Sequence, residues 1–405
     1  MQHIVIIGGG ASGLVSAIYA KNKNNQVTIL ERNQNCGKKI LATGNGKCNY
    51  WNEDQSLVHY HSTTENLLQE IITEENKKEI LNFFKTLGIY PKIKNGYYYP
   101  FSNQATTIKD ALINEVKRKN IIIKENFLVE KIKKQNDYFE ITSQTEIIKA
   151  DKVILATGGK ASPKTGSDGI GYKLLKQLNH TFIEPHPALV QLKTKGNFLK
   201  QWAGIRTDVE VLLYENNNFI KKEQGEIQLT DYGVSGICIF NLSRYVSIGL
   251  SNNKNYQVRI NFLPFLKDNK FEELTNFLKN TNKNNLREEL EGILNSKLVD
   301  VILKESKVNE NKSIFYLSEI EQNKLIEYLI NFKVDVIGTN SFEQAQVSSG
   351  GLSLKDINLK TMESNKINNL YVVGELLDVD GDCGGYNLGF AWISGMLAGK
   401  DCSND

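Results

Sequence analysis

The first thirty residues change hydrophobic period twice, and that change restricts the chain to one supersecondary unit. The β-branched run Ile4-Val5-Ile6-Ile7 gives way to Gly8-Gly9-Gly10-Ala11-Ser12-Gly13. A small-residue helical stretch from Ser12 to Lys21 follows, and then the strand-like Val27-Thr28-Ile29-Leu30. This is a βαβ unit, with G-x-G-x-x-G directly after a strand and at the mouth of a helix. Gly8 allows the tight turn, Gly10 lets pyrophosphate oxygens reach bare backbone, and Gly13 lets helix and strand pack closely. The helix N-terminus presents free N–H groups and partial positive charge to the phosphates. Without that context the same glycines would read as a structural turn.

Glu31 ends the second strand about twenty residues beyond the glycines, where a carboxylate accepts hydrogen bonds from ribose hydroxyls and repels a 2′-phosphate. NADP is disfavoured, which leaves NAD or FAD; Arg32 weakens the exclusion slightly, because a guanidinium tolerates phosphate. The rest of the chain favours FAD. Residues 37 to 49, including Lys39, Thr43, Gly44, Asn45, Gly46 and Asn49, form a second glycine-rich, cationic loop. Ala156-Thr157-Gly158-Gly159 follows the apolar strand 152–155, and Val372-Val373-Gly374-Glu375 ends another. Gly384-Gly385-Tyr386-Asn387 opens an apolar helix whose dipole would stabilise negative charge on a reduced flavin ring. These segments suit one ligand longer than a nucleotide.

The 405 residues, 40% hydrophobic and 23% charged, fit a soluble globular protein of two or three domains. A net charge of +3 from 49 basic and 46 acidic side chains is too balanced to announce a polyanionic partner, so no nucleic acid is expected. The five cysteines are odd in number, spread out and never C-x-x-C, which supports neither disulfides nor a metal site and points to a cytoplasmic location. No apolar run approaches about 18 residues, and Met1 leads straight into a strand, so neither membrane span nor signal peptide is expected.

Helices are predicted at 64–71, at 75–87 with Gly88 as cap, and at 104–119; Asn95-Gly96 reads as a hairpin turn into Tyr97-Tyr98-Tyr99. Short strands follow at 121–149. Residues 188–265 read as short strands with few helix signals, residues 268–332 take helical spacing, and the Asn- and Lys-rich 280–285 reads as solvated. The predicted class is α/β. A Rossmann-like FAD-binding domain (1–187 and 345–405) carries an inserted β-rich barrel or sandwich domain (188–266 and 333–344) and a small helical insert (267–332).

On these motifs the chain resembles a bacterial family of FAD-dependent oxidoreductases that includes aminoacetone oxidase and a bile-acid 4,6-reductase. The resemblance runs nearly end to end. It includes Gly37 to Asn49, Tyr99-Pro100-x-Ser102, Thr165 to Tyr172, Gly225 to Gly236, Ser349-Gly350-Gly351, Thr361 to Ser364 and Gly374 to Gly395. It implies FAD contacts at Gly8, Gly10, Ala11, Ser12, Gly13, Glu31, Lys39, Gly44 to Gly46, Asn49, Ala156 to Gly158, Gly374, Glu375, Asp380, Gly381 and Gly385 to Asn387. Val129, read as the end of a strand, matches a backbone contact to adenine. Asp231 and Ile237 depart from the family pattern on the substrate side.

The stretch Gly166-Ser167-Asp168-Gly169-Ile170-Gly171 lacks a preceding strand, and Asp168 reads as a helix N-cap, so no dedicated nicotinamide domain is expected. Either electrons come from the substrate and leave to oxygen or another acceptor, or NAD(P)H docks transiently over the flavin. The leading reading is a small-molecule oxidoreductase, oxidising an amine or reducing an activated double bond. The alternatives are a nucleic-acid-binding flavoprotein of the tRNA-modifying type and a flavin sensor without turnover. Cys48, Tyr99, His186, Asp231, Tyr232, Asp378, Asp380 and Cys383 are candidate proton handlers, each more simply read as structural, and no catalytic residue is assigned.

Overall fold

The computed structural model describes residues 1–279, 283 and 285–404, so most of the Asn- and Lys-rich 280–285 lies outside the described residues. The chain divides into two compact units, Met1–Pro187 with Phe342–Asp405, and Ala188–Ser341.

The first unit is built on a five-stranded parallel sheet. From one edge its strands are Leu370–Val372, Lys152–Leu155, β1 (Gln2–Ile7), β2 (Asn25–Leu30) and Ile122–Lys124. Ile7 pairs with both Leu30 and Leu155, so the strands end level and their following loops gather along one edge. Ile4, Val5, Ile6, Val153, Ile154 and Leu155 are all 0% exposed, as a parallel sheet covered on both faces requires. The helix α1 (Ala11–Ala20) packs closely against the last helix, Tyr386–Cys402. A Cβ on Gly395 would lie 2.5 Å from the Ser12 carbonyl, and one on Gly399 would lie 2.6 Å from that of Ser16. Both glycines are therefore needed for the approach.

The remaining predicted elements of this unit are mostly in place. Helices span Glu74–Thr86 and Ala105–Arg118. The strands Pro91–Lys94 and Tyr97–Pro100 pair around Asn95 and Gly96, both at positive φ as a type I′ turn demands. Residues 64–71 do not make an α-helix. Glu65–Glu70 is a 3₁₀ helix whose one buried residue is Leu68, too little apolar surface to anchor a longer element.

In the second unit a closed barrel takes the strands Leu192–Thr194, Gly233–Ser235, Asn218–Leu229, Arg206–Glu215, Tyr256–Asn261 and Phe332–Thr339 in that order. The expectation of few helices before residue 265 is corrected by Ile237–Ser251, a helix of 15 residues. Its β-branched isoleucines and valine favour strand by local preference, but Cys238, Ile239, Leu242 and Val246 are buried together at helical spacing. Helices Lys270–Leu278, Leu286–Glu291, Ser296–Ser306 and Glu319–Ile330 share one hydrophobic core with the barrel. We propose the β-rich and helical portions as subdivisions of this unit. No helix among the described residues is long and apolar enough to cross a membrane.

Candidate functional site

The fingerprint glycines play unlike parts. Gly8 sits at φ 107°, and a Cβ there would lie 2.4 Å from the Ala156 carbonyl; one on Gly13 would lie 1.9 Å from the carbonyl of Gly8. Those two are required by packing. Gly10, the N-cap of α1, has no side-chain cap, sits at φ −82°, and its Cβ would meet nothing within 4 Å. Open space therefore lies over the bare amides of Gly10, Ala11 and Ser12, where an anion is favoured. Gly9, which sequence reasoning passed over, is crowded by a side chain and not by backbone: a Cβ would lie 2.3 Å from Cys36 Sγ.

Glu31 is buried beside this turn and already has structural work. Its Oε2 accepts from the Gly9 amide at 2.8 Å, and Oε1 accepts from both the amide and Nδ2 of Asn33 at 2.8 Å. A carboxylate has about four acceptor positions, so capacity for a ribose hydroxyl remains. The Phe127 amide donates to the Glu31 carbonyl at 2.8 Å, which brings residues 126–129 alongside. Val129 is buried but not at a strand end. The parallel strand stops at Lys124, and Val129 lies in the extended run before the strand Lys131–Lys134. Arg32 is also committed, with Nη1 2.5 Å from Asp168 Oδ2. Asp168 accepts from the Ile170 amide at 3.2 Å, yet the N-cap of that helix is Gly169 at φ 87°, where glycine is favoured.

Lys39 and Glu375, read from the sequence as separate contacts, form an ion pair of 2.6 Å. Glu375 Oε1 accepts from the Ser348 amide at 2.9 Å, and Ser348 Oγ accepts from the amides of Lys160 and Ala161 at 2.8 and 3.0 Å. Ser348 thus ties the loop after Gly158 to Glu375. Ala156 donates to the Ile7 carbonyl at 2.9 Å, with Thr157 following it, and Gly374 donates to Ser394 Oγ at 3.0 Å. Thr43 to Gly46 form a solvent-facing turn in which Gly44, Asn45 and Gly46 all have positive φ; Asn49 behind it is half-buried.

Elsewhere in the first unit, Asp380–Gly381 pairs antiparallel with Tyr60–His61. Asn387 fixes this loop, accepting from the Gly381 amide at 2.9 Å and donating to its carbonyl at 2.8 Å. The N-cap of the last helix is Gly385, at φ 94° and without a side-chain cap, so the helix dipole at this end carries its partial positive charge without a capping side chain. Tyr386 stacks on His59, with centroids 4.5 Å apart.

Among the proton-handling candidates, Cys48 is fully buried and its thiol is pushed up to about 12, mainly by burial, so it is not a thiolate. Burial raises the Asp378 carboxyl and the Tyr99 phenol and lowers His186. Asp378 accepts from Thr63 Oγ1 at 2.5 Å and from the Thr63 amide at 2.8 Å. Asp380 is buried and Cys383 half-buried. Asp231, Tyr232 and Ile237 are partly or fully exposed in the second unit. Sequence reasoning missed His59, His61 and Asp382, which meet through one carboxylate. The only local signal is the His-x-His spacing, because Asp382 lies more than 300 residues away. Among the described residues, no group of three or more His, Cys, Asp or Glu could hold a metal ion.

The residues present fit FAD, with open space over bare amides, a buried carboxylate one turn away and a second uncapped helix end. Fold and site together define a flavin-dependent oxidoreductase built on a dinucleotide-binding domain. The chain belongs to the family described as HI0933-like protein Rossmann domain, which it matches over residues 2–401. It is 40% identical over 403 residues to the 3-dehydro-bile acid delta(4,6)-reductase of Clostridium scindens, covering 99% of this chain and 98% of the relative. It is 28% identical to the ribosomal RNA dihydrouridine synthase of Haemophilus influenzae, covering 96% of each. The fold is shared with 3-ketosteroid delta1-dehydrogenase from Sterolibacterium denitrificans, TM-score 0.53 at 8% identity, covering all of both chains.

Proposed function

We propose that this protein reduces a carbon–carbon double bond conjugated to a carbonyl in a small organic molecule, with NAD(P)H as transient reductant of bound FAD. The observation that carries this reading is the 40% identity to the bile-acid reductase across essentially the whole length of both chains. The more distant ribosomal RNA relative supports the same reaction class, since dihydrouridine is uridine with its ring double bond reduced.

When bound, FAD would supply the hydride-transfer chemistry between nicotinamide and substrate. The chain's residues would hold and tune it. We assign the amides of Gly10 to Gly13 to the pyrophosphate, Glu31 to the ribose, and the segment at Val129 to the adenine. Thr43 to Gly46, Asn49, Ala156 to Gly158, Gly374, Asp380, Gly381 and Gly385 to Asn387 would line the rest, with the Lys39–Glu375 pair bracing the middle. The amide end of the last helix would favour negative charge on the ring.

The test is an anaerobic mixing experiment. NADH or NADPH should bleach the flavin band, and 4-androstene-3,17-dione or 2-cyclohexen-1-one should restore it. Bleaching by aminoacetone but by neither nicotinamide would replace this reading with an amine oxidase. Restoration by ribosomal RNA alone would establish the nucleic-acid reading that the Haemophilus relative favours. A flavin inert to everything except dithionite would mean a sensor.

A further inference from the structure

Adding two hydrogens across a double bond consumes one hydride and one proton per turnover, so the reaction proposed above needs a refillable proton source as well as a nicotinamide. The first unit holds an array of suitable shape. Asp382 accepts on both oxygens, from His59 Nδ1 at 3.1 Å and from His61 Nε2 at 3.1 Å. The opposite nitrogen of His59, Nε2, lies 3.3 Å from Asp54 Oδ2. Both nitrogens of His59 therefore face carboxylate oxygens, and each can donate to one when the ring is protonated.

Exposure falls steadily along the array. The side chains of Asp54, His59, Asp382 and His61 are 63, 28, 8 and 7% exposed. The backbone locks it in place: the Asp382 amide donates to the His59 carbonyl at 2.9 Å, and Asp380 pairs with His61 across the short ladder. Asp382 thus lies in the loop Asp380 to Asn387 directly before the last helix, His61 sits on the strand paired with Asp380, and the His59 ring lies flat on Tyr386.

We propose that Asp54, His59, Asp382 and His61 form a proton relay from solvent to the reacting end of the site, with His59 as its store. The proposal rests on the double-bond reduction above. A hydride of nicotinamide origin would form a C–H bond at the β-carbon as the π bond breaks and its electron pair shifts to the α-carbon, which takes a proton that the relay supplies. His59 recovers its proton from water through Asp54. The relay residues position and replenish the proton rather than touch the nicotinamide. The ionisable groups facing the array are Asp54 on the preceding loop, Tyr60 and Asp380 on the paired strands, Cys383 beside Asp382, Tyr386 on the helix and Tyr97 on the hairpin.

The experiment uses the holoprotein and His59→Gln, with Asp382→Asn as a second variant, in two anaerobic half-reactions. Bleaching by NADPH should stay within about twofold of wild type. Restoration by 2-cyclohexen-1-one should slow roughly 100-fold and lose its fall at alkaline pH. Restoration by ferricyanide, which takes electrons without a proton, should not change. Equal slowing with both acceptors, or enone restoration within about twofold of wild type, would overturn the relay. A wild-type flavin that no enone restores sinks the proposed reaction instead, and the relay is then judged by histidine NMR. Asp382→Asn alters the carboxylate that both rings share, so the ring signals of His59 and His61 should shift together. Unmoved signals refute the coupling.

Discussion

Gly10→Ala separates what the fingerprint does for folding from what it does for binding. Gly10 has an ordinary φ of −82° and nothing within 4 Å of a Cβ, so alanine fits the folded chain without strain. As a helix N-cap, alanine costs at most about 1 kcal/mol relative to glycine. In a protein of this size that lowers Tm by only about 1 °C. The methyl group instead occupies the open space over the α1 amides and holds a phosphate oxygen off the backbone. Losing two charge-assisted hydrogen bonds at about 1.5–3 kcal/mol each weakens FAD binding by roughly 10² to 10⁴-fold. Calorimetric titration of flavin-stripped protein with FAD measures that factor, and thermal unfolding of the same sample measures stability. Gly13→Ala is the contrast, because its Cβ would sit 1.9 Å from the Gly8 carbonyl and the helix must move. It should lose far more stability than Gly10→Ala. A folded Gly10→Ala protein that binds FAD with wild-type affinity would refute the assignment of the phosphate site.

Glu31→Gln keeps an acceptor for the turn but removes the charge, so FAD affinity should fall about 10- to 100-fold with a smaller change in Tm; equal affinity by titration would show that Glu31 serves only Gly9 and Asn33. Gly395→Ala forces a methyl group to 2.5 Å from the Ser12 carbonyl and should cost about 1–3 kcal/mol in urea unfolding, and an unchanged midpoint would mean that the helix pair yields freely. His180, held low by burial first and by Lys366 second, carries less proton in the folded than in the unfolded state. Its contribution is therefore whole above the ordinary value of 6.5 and is lost as pH falls below it. His180→Gln should lose less stability than wild type between about pH 7.5 and pH 5, measured by denaturant unfolding at each pH; identical losses would remove His180 from the acid response.

The sequence by itself determined the parallel sheet and its glycine turn. A buried parallel strand must be continuously apolar, a tight turn onto a helix must be glycine, and both constraints act within a few residues, as in Ile4 to Gly13. The same locality made the Asn95-Gly96 hairpin and the glycine opening of the last helix legible. It misled at Ile237–Ser251, where β-branched residues lean toward strand and only burial against the barrel settles them as helix. Val129 was misplaced because the strand before it ends on a hydrogen bond from Glu31, a partner remote in sequence. The tertiary structure alone decided the division of labour among the glycines, the pairing of Lys39 with Glu375, and the meeting of His59 and His61 on Asp382. Each of these depends on residues that chain folding brings together across tens to hundreds of positions, and hydrogen bonds and ion pairs reach only a few ångströms. No pattern within a short window can carry them.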